Sequence, residues 1–164
     1  MLADEIRHCS LYLVPCTLHV FSYLALYMIY LTRRERFSAA HRLYNPKLSD
    51  EENENLYGPC SNPNWHGHNY ILWVTVKGHV NPSTGYVVDL KQLSLIIKEH
   101  VISKLDHNSL NLEVDFLQDM FISTENLAVG VWEQLESRVR GLGVELHSVK
   151  IMETENNIVE YFGN

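Results

Sequence analysis

Trp65-His66-Gly67-His68-Asn69-Tyr70, running on into Ile71-Leu72-Trp73-Val74-Thr75-Val76, sets two imidazoles one glycine apart at the head of a β-branched and aromatic run. Such a run reads as a strand, and residues two apart on a strand share a face. A second extended stretch, Arg36-Phe37-Ser38-Ala39-Ala40-His41-Arg42-Leu43, carries His41. As a neighbouring strand it would bring a third imidazole alongside His66 and His68. Three neutral nitrogens on one Zn²⁺ leave a fourth coordination position for a substrate oxygen, whereas four protein ligands close a structural site. Ligands carried on a sheet are also held more rigidly than ligands on a loop. The plainer competing reading is a polar sheet face, since the chain has nine histidines.

The rest of the composition asks for an ordinary surrounding. A chain of 164 residues with 46% apolar content suits one compact domain with a substantial core, plus a tail. The net charge of −7 and the absence of a basic stripe with interleaved aromatics argue against a nucleic-acid surface. Three cysteines, of which Cys9 and Cys16 fall in the N-terminal segment, make no disulfide framework. Cys60 is therefore read as a free thiol in a reducing, cytoplasmic compartment.

Residues 1–30 read as an apolar N-terminal extension. From Cys9 to Thr32 there is no Asp, Glu, Lys or Arg, a run long enough to cross a bilayer as a helix. Arg33, Arg34 and Arg36 would then keep the following domain cytosolic. Asp4 and Glu5 spoil the positive start of a signal peptide. The competing reading is a variant or disordered segment outside the domain, so membrane contact is expected only if residues 9–32 act as an anchor.

Downstream, sheet and helix patterns alternate without repeats. Tyr44 to Trp65 is a polar loop with the acidic cluster Asp50-Glu51-Glu52-Asn53-Glu54 and a short helical turn begun by Ser49 or Asp50. Asn81 to Gly85 is a turn, and Asp89 caps a helix with Leu90, Leu93, Ile97 and Val101 on one face, running to Leu105. Ser123 or Thr124 caps a second helix through Leu127, Val131 and Leu135 that stops at Gly141 and Gly143. Two strands, Glu145 to Glu153 and Asn157 to Phe162, finish the chain. The order strand, strand, helix, helix, strand, strand predicts an α+β fold: an antiparallel four-stranded sheet with two helices packed on one face. Open edges on so small a sheet favour closure by oligomerisation.

Five stretches, in order and at compatible spacing, resemble the motifs of the 6-pyruvoyl-tetrahydropterin synthase family: Arg34 to Leu43, Cys60-x₅-His66-Gly67-His68-Asn69-Tyr70, Leu105-Asp106-His107, Ser123-Thr124-Glu125-Asn126 and Glu153-Thr154-Glu155-Asn156-Asn157. The resemblance runs from about Leu31 to Asn164, so residues 31–164 are expected to form a single pterin synthase domain. It implies the tunnelling fold, in which subunits join their sheets into a barrel and assemble as a homohexamer, a dimer of trimers. It also implies a lyase reaction, 7,8-dihydroneopterin triphosphate to 6-pyruvoyl-tetrahydropterin with loss of triphosphate, in tetrahydrobiopterin synthesis.

Carried over position by position, the resemblance makes His41, His66 and His68 the zinc ligands. The retained positive charge suits the task because it acidifies hydroxyls and C–H bonds beside it, so that side-chain oxidation and ring reduction proceed as proton shifts within one molecule. Cys60 is implied as a general base, its pKa drawn down by the cation; read without the family, a fourth ligand closing a Cys-His₃ site is its competing role. Asp106 and His107 are implied as a proton relay supplied by a different subunit; by themselves they read as a helix end entering a turn. Glu153 is implied as the pterin anchor, because one carboxylate accepts both parallel donors of the 2-amino and N3–H edge. Thr124 and Glu125 are implied as further pterin-pocket residues, and they equally read as an ordinary helix start. Arg42, Lys47 and Lys91 are triphosphate candidates by charge alone, and Mg²⁺ accompanying the triphosphate is a family expectation.

Two departures stand out. Trp65 occupies a position where family members commonly have glycine, which predicts an altered path for the loop from Cys60. The apolar extension has no counterpart in the family's core. The neighbouring reading, a 6-carboxytetrahydropterin synthase-like enzyme, usually places its cysteine closer to His-Gly-His. A non-catalytic, zinc-stabilised pterin-binding or interaction module is the reading from a different class.

Overall fold

A computed structural model describes residues 27–163. Four strands form one antiparallel sheet in the order β1-β2-β3-β4: β1 (Met28–His41), β2 (His66–His79), β3 (Glu145–Thr154) and β4 (Asn157–Tyr161). Among the described residues three α-helices of eight residues or more accompany it: α1 (Asp50–Tyr57), α2 (Leu90–Ile97) and α3 (Thr124–Arg140). The predicted α+β arrangement is the one observed; among the described residues the sheet does not close on itself, and the segment after Leu105 bridges part of the β1 edge.

β1 is longer than its sequence pattern suggests. It starts at Met28, inside the uncharged run, and pairs with β2 over its full length from Met28↔His79 to His41↔His66. The start was hidden because an apolar run carries no alternation to mark where a strand begins. Arg42 and Leu43, read as strand, lie beyond its end. The reading of the extension as anchor or variant segment concerns residues outside the described ones, apart from Tyr27 to Thr32. Among the described residues no helix is long and apolar enough to cross a membrane.

Alternation then sorts the sheet into two faces. Phe37, Ala39 and His41 of β1 lie on the buried face with Tyr70, Leu72, Val74 and Val76 of β2 and Val149 and Ile151 of β3. α2 and α3 cover this face with Leu93, Ile97, Val101, Leu105, Leu127, Val131, Leu135 and Val139, all buried. A step of four residues overshoots an α-turn of about 3.6 residues by about 40°, so Leu93, Ile97, Val101 and Leu105 would drift around a regular helix. After Ile97 the helix continues as a π-helical stretch, Lys98–Ile102, before a last turn, Ser103–Leu105. The wider π turn takes up that drift and keeps the row on the core. Leu90, expected on the same face, is 46% exposed because the first turn reaches past its cover.

The caps follow the local chemistry. Ser49 and Glu52 form a complete capping box on α1, which makes it a formed helix of eight residues where a short turn was expected. The Asp89 carboxylate accepts from Lys91 N–H at 2.8 Å, and Ser123 Oγ caps α3 by accepting from Asn126 N–H at 3.4 Å.

Candidate metal centre and adjoining clefts

The register of β1 on β2 builds the centre. His41 stands opposite His66, and Ala39 opposite His68, so all three imidazoles emerge on the buried face at one end of the strand pair. Their ring centroids are 4.4 Å apart for His41 and His66, 5.3 Å for His41 and His68, and 5.1 Å for His66 and His68. One nitrogen from each lies within 4.8 Å of the others. Gly67 permits this: a Cβ there would stand 2.8 Å from the Ala39 carbonyl oxygen, so any side chain would push the strands apart.

Hydrogen bonding fixes which nitrogen is available. His41 Nδ1–H donates to the Ile122 carbonyl at 2.8 Å, which leaves the Nε2 lone pair free. That Nε2 and His66 Nδ1 are buried without hydrogen-bond partners among the described residues. Buried lone pairs without donors are what a cation would satisfy. Burial lowers the pKa of all three histidines and favours the neutral, ligating form; the Ile122 carbonyl and Glu153 oppose this at His41, and Glu153 opposes it at His66 and His68. The three residues fit a divalent metal.

Glu153 comes closer to this centre than its reading as a pterin anchor suggested. Its Oε1 lies 3.6 Å from His41 Nε2 and 3.7 Å from His68 Nε2, and accepts from Thr124 Oγ–H at 2.9 Å. Thr124 occupies the first turn of α3, so the helix start and the end of β3 meet over the imidazoles. A cleft of about 360 Å³ opens here, lined by His41, Cys60, Thr124, Glu125 and Glu153 among others. The structure thus gathers the three histidines into one centre and sets Cys60, Thr124, Glu125 and Glu153 with His41 along one cleft.

Cys60 is a half-buried free thiol in the 3₁₀ turn Gly58–Ser61. Its carbonyl accepts from Leu43 N–H at 2.9 Å, which ties the loop to the end of β1 close to His41. The ligand cluster among the described residues comprises the three histidines without Cys60. Trp65 was expected to alter the loop path, and its backbone shows where it bears on the turn. Trp65 takes a φ of 68°, the left-handed region that glycine enters without strain, and its N–H donates to Asn62 O at 2.9 Å. The tryptophan backbone bears the strain of this turn.

Asp106 and His107 lie elsewhere. Their segment runs along the free edge of β1, where Asp106 Oδ1 accepts from Ser38 N–H at 2.8 Å and His107 N–H donates to Ser38 O at 2.6 Å. His107 Nδ1 is 3.1 Å from Asp106 Oδ1, and the ring is exposed. Asp106 lines a cleft with Arg36, Ser38 and Asn69, and His107 one with Gly67, His68 and Asn69; Cys60 lines neither. The bond from Ser38 N–H and the neighbouring His107 hold the Asp106 carboxyl below its ordinary range. Of the charge-based candidates, Arg42 stacks 4.1 Å over the Tyr44 ring and donates from Nε to Ser61 O at 2.7 Å. Lys47 lines a different cleft with Tyr44 and Asp119, and Lys91 sits in the first turn of α2.

Tyr70 is a residue of this site that sequence reading passed over. It continues the row His66, His68, Tyr70 on the same face, with its ring 5.5 Å from His68 and 6.2 Å from His41. The two-residue period carried that signal, but an aromatic inside a strand reads first as core.

Comparison with known proteins agrees with this geometry. The family model described as 6-pyruvoyl tetrahydropterin synthase matches residues 30–164. The human 6-pyruvoyl tetrahydrobiopterin synthase is 48% identical over 132 residues, covering 80% of this chain and 90% of that protein. The Dictyostelium discoideum protein of the same name is 47% identical over 135 residues, covering 82% and 96%. The solved structure of the Caenorhabditis elegans 6-pyruvoyl tetrahydropterin synthase superposes with a TM-score of 0.78 at 39% identity, covering 84% of this chain and 96% of that one. With the histidine centre, the cleft beside it and the sheet that carries both, the chain belongs to the 6-pyruvoyl tetrahydropterin synthase family.

Proposed function

We propose that this protein converts 7,8-dihydroneopterin triphosphate to 6-pyruvoyl-tetrahydropterin with elimination of triphosphate, in tetrahydrobiopterin formation. The observation that carries this reading is the convergence of three imidazoles, two of them with buried unpartnered nitrogens, beside the cleft that holds Cys60 and Glu153. His41, His66 and His68 would hold Zn²⁺, an ion suited to three neutral nitrogens with one position left open. When bound, zinc supplies positive charge that makes nearby substrate hydroxyls and C–H bonds more acidic.

The remaining work falls to side chains. Glu153 accepts the 2-amino and N3–H donors of the pterin, held in place by Thr124, with Glu125 at the pocket wall. Cys60 Sγ withdraws a proton from the substrate side chain, a role that its free, half-buried thiol supports. His107, oriented by Asp106, passes the complementary proton. Because those two residues sit at the β1 edge, apart from Cys60 in one chain, the working site is assembled between subunits of a homohexamer, a dimer of trimers. The reaction needs no external oxidant, since the side chain loses the electrons that the ring gains. Mg²⁺ accompanies the triphosphate, and the free thiol suits the cytoplasm.

Incubating the zinc-loaded full chain with dihydroneopterin triphosphate, and following both triphosphate and the pterin product, tests the reading. Stoichiometric release of the two is expected. No turnover at full zinc occupancy refutes it.

A further inference from the structure

Tyr70 is 1% exposed and keeps a hydroxyl with no hydrogen-bond partner among the described residues. Its ring stacks on Phe37 at 4.9 Å and 14° between planes, a contact that phenylalanine would make equally well. The oxygen therefore carries a cost that packing does not explain. Its neighbours say what it serves. Tyr70 and Glu153 each lie one residue beyond the last register pair, Ile71↔Met152, and by alternation continue the face of Leu72 and Ile151. The phenol O–H is a donor without a partner, and the Glu153 carboxylate is the acceptor on the neighbouring strand.

Glu153 has competing partners. One of its oxygens accepts from Thr124 yet lies within 4 Å of two imidazole nitrogens of the metal centre. A carboxylate so placed is drawn toward a cation, whereas a pterin anchor must present its oxygens to the ring. The Tyr70 hydroxyl is sealed from solvent and cannot reach substrate unaided, so it acts through a neighbouring side chain.

We propose that Tyr70 is a positioning residue: when pterin enters, its hydroxyl donates to the Glu153 carboxylate and, with Thr124, holds it in the pterin-accepting position and off the metal centre. This rests on the pterin-binding reading above.

The test is a binding cycle on the zinc-loaded protein with 6-methylpterin as probe, a ring without side-chain oxygens, read by calorimetry alongside zinc content. Tyr70→Phe is expected to weaken binding about tenfold with zinc retained, and to have no further effect once Glu153→Gln is present. Equal losses from Tyr70→Phe in both backgrounds would make Tyr70 a packing residue and overturn the proposal, as would no loss in the first. A wild-type protein that binds zinc but not 6-methylpterin sinks the pterin reading itself, and this inference with it.

Discussion

His41 combines three jobs in one side chain: it is 2% exposed, donates to the Ile122 carbonyl, and offers Nε2 to the metal centre. His41→Ala should therefore lose zinc and activity together and destabilise the metal-free fold by about 2 kcal/mol, since it empties buried space and leaves a carbonyl unpaired; metal analysis and denaturant unfolding check this. Cys60→Ala should keep zinc while kcat falls at least about 100-fold. Loss of zinc in that variant would place the sulfur among the ligands. The three lowered imidazole pKa values also set a pH dependence. Below its ordinary value near about 6.5 an unfolded histidine takes up a proton that these folded ones refuse. The stability they permit is full above that pH and is lost as pH falls toward their lowered folded values. Melting temperatures of chelator-treated protein should thus drop between about pH 7 and about pH 5.5, and a flat profile would contradict the assignment. At this scale the histidine cluster was legible in the sequence because a histidine pair at strand spacing shares one face. Tyr70 was not, because nothing in its identity separates an orphaned hydroxyl from a core ring.

Gly67 shows how an element, rather than a residue, positions the ligands. With the Ala39 carbonyl 2.8 Å from the site of a Cβ, Gly67→Ala should separate β1 from β2 at the end that carries His41 and His66. The expected cost is about 2 kcal/mol with a measurable loss of zinc affinity, read by unfolding and metal competition. Unchanged affinity would mean that the ligands tolerate strand separation. Alternating burial and capping residues made strands and helices readable, down to Asp89 and Ser123. The start of β1 was not, since Met28 to Leu31 continue an apolar run with no polar beat. Nor was the conformation of Trp65, where a bulky side chain sits at a φ of 68° because the turn linking Cys60 to β2 requires it.

At the scale of the whole molecule, one chain holds Cys60 and Asp106–His107 in separate clefts. A site shared between subunits predicts complementation. Cys60→Ala and His107→Ala chains, each inactive alone, should regain part of the wild-type activity when co-assembled, because some mixed interfaces carry both intact halves. No recovery in verified mixed assemblies would mean that each chain works alone. A single sequence carries little of this, because residues that meet only across an interface share neither a face nor a register within the chain; the family motifs were the signal. Zinc-edge X-ray absorption on the loaded enzyme tests the central claim most directly, that three imidazoles hold an open metal while Cys60 stays free. The account predicts nitrogen and oxygen scatterers only, at about 2.0–2.2 Å, and a sulfur at about 2.3 Å would contradict it.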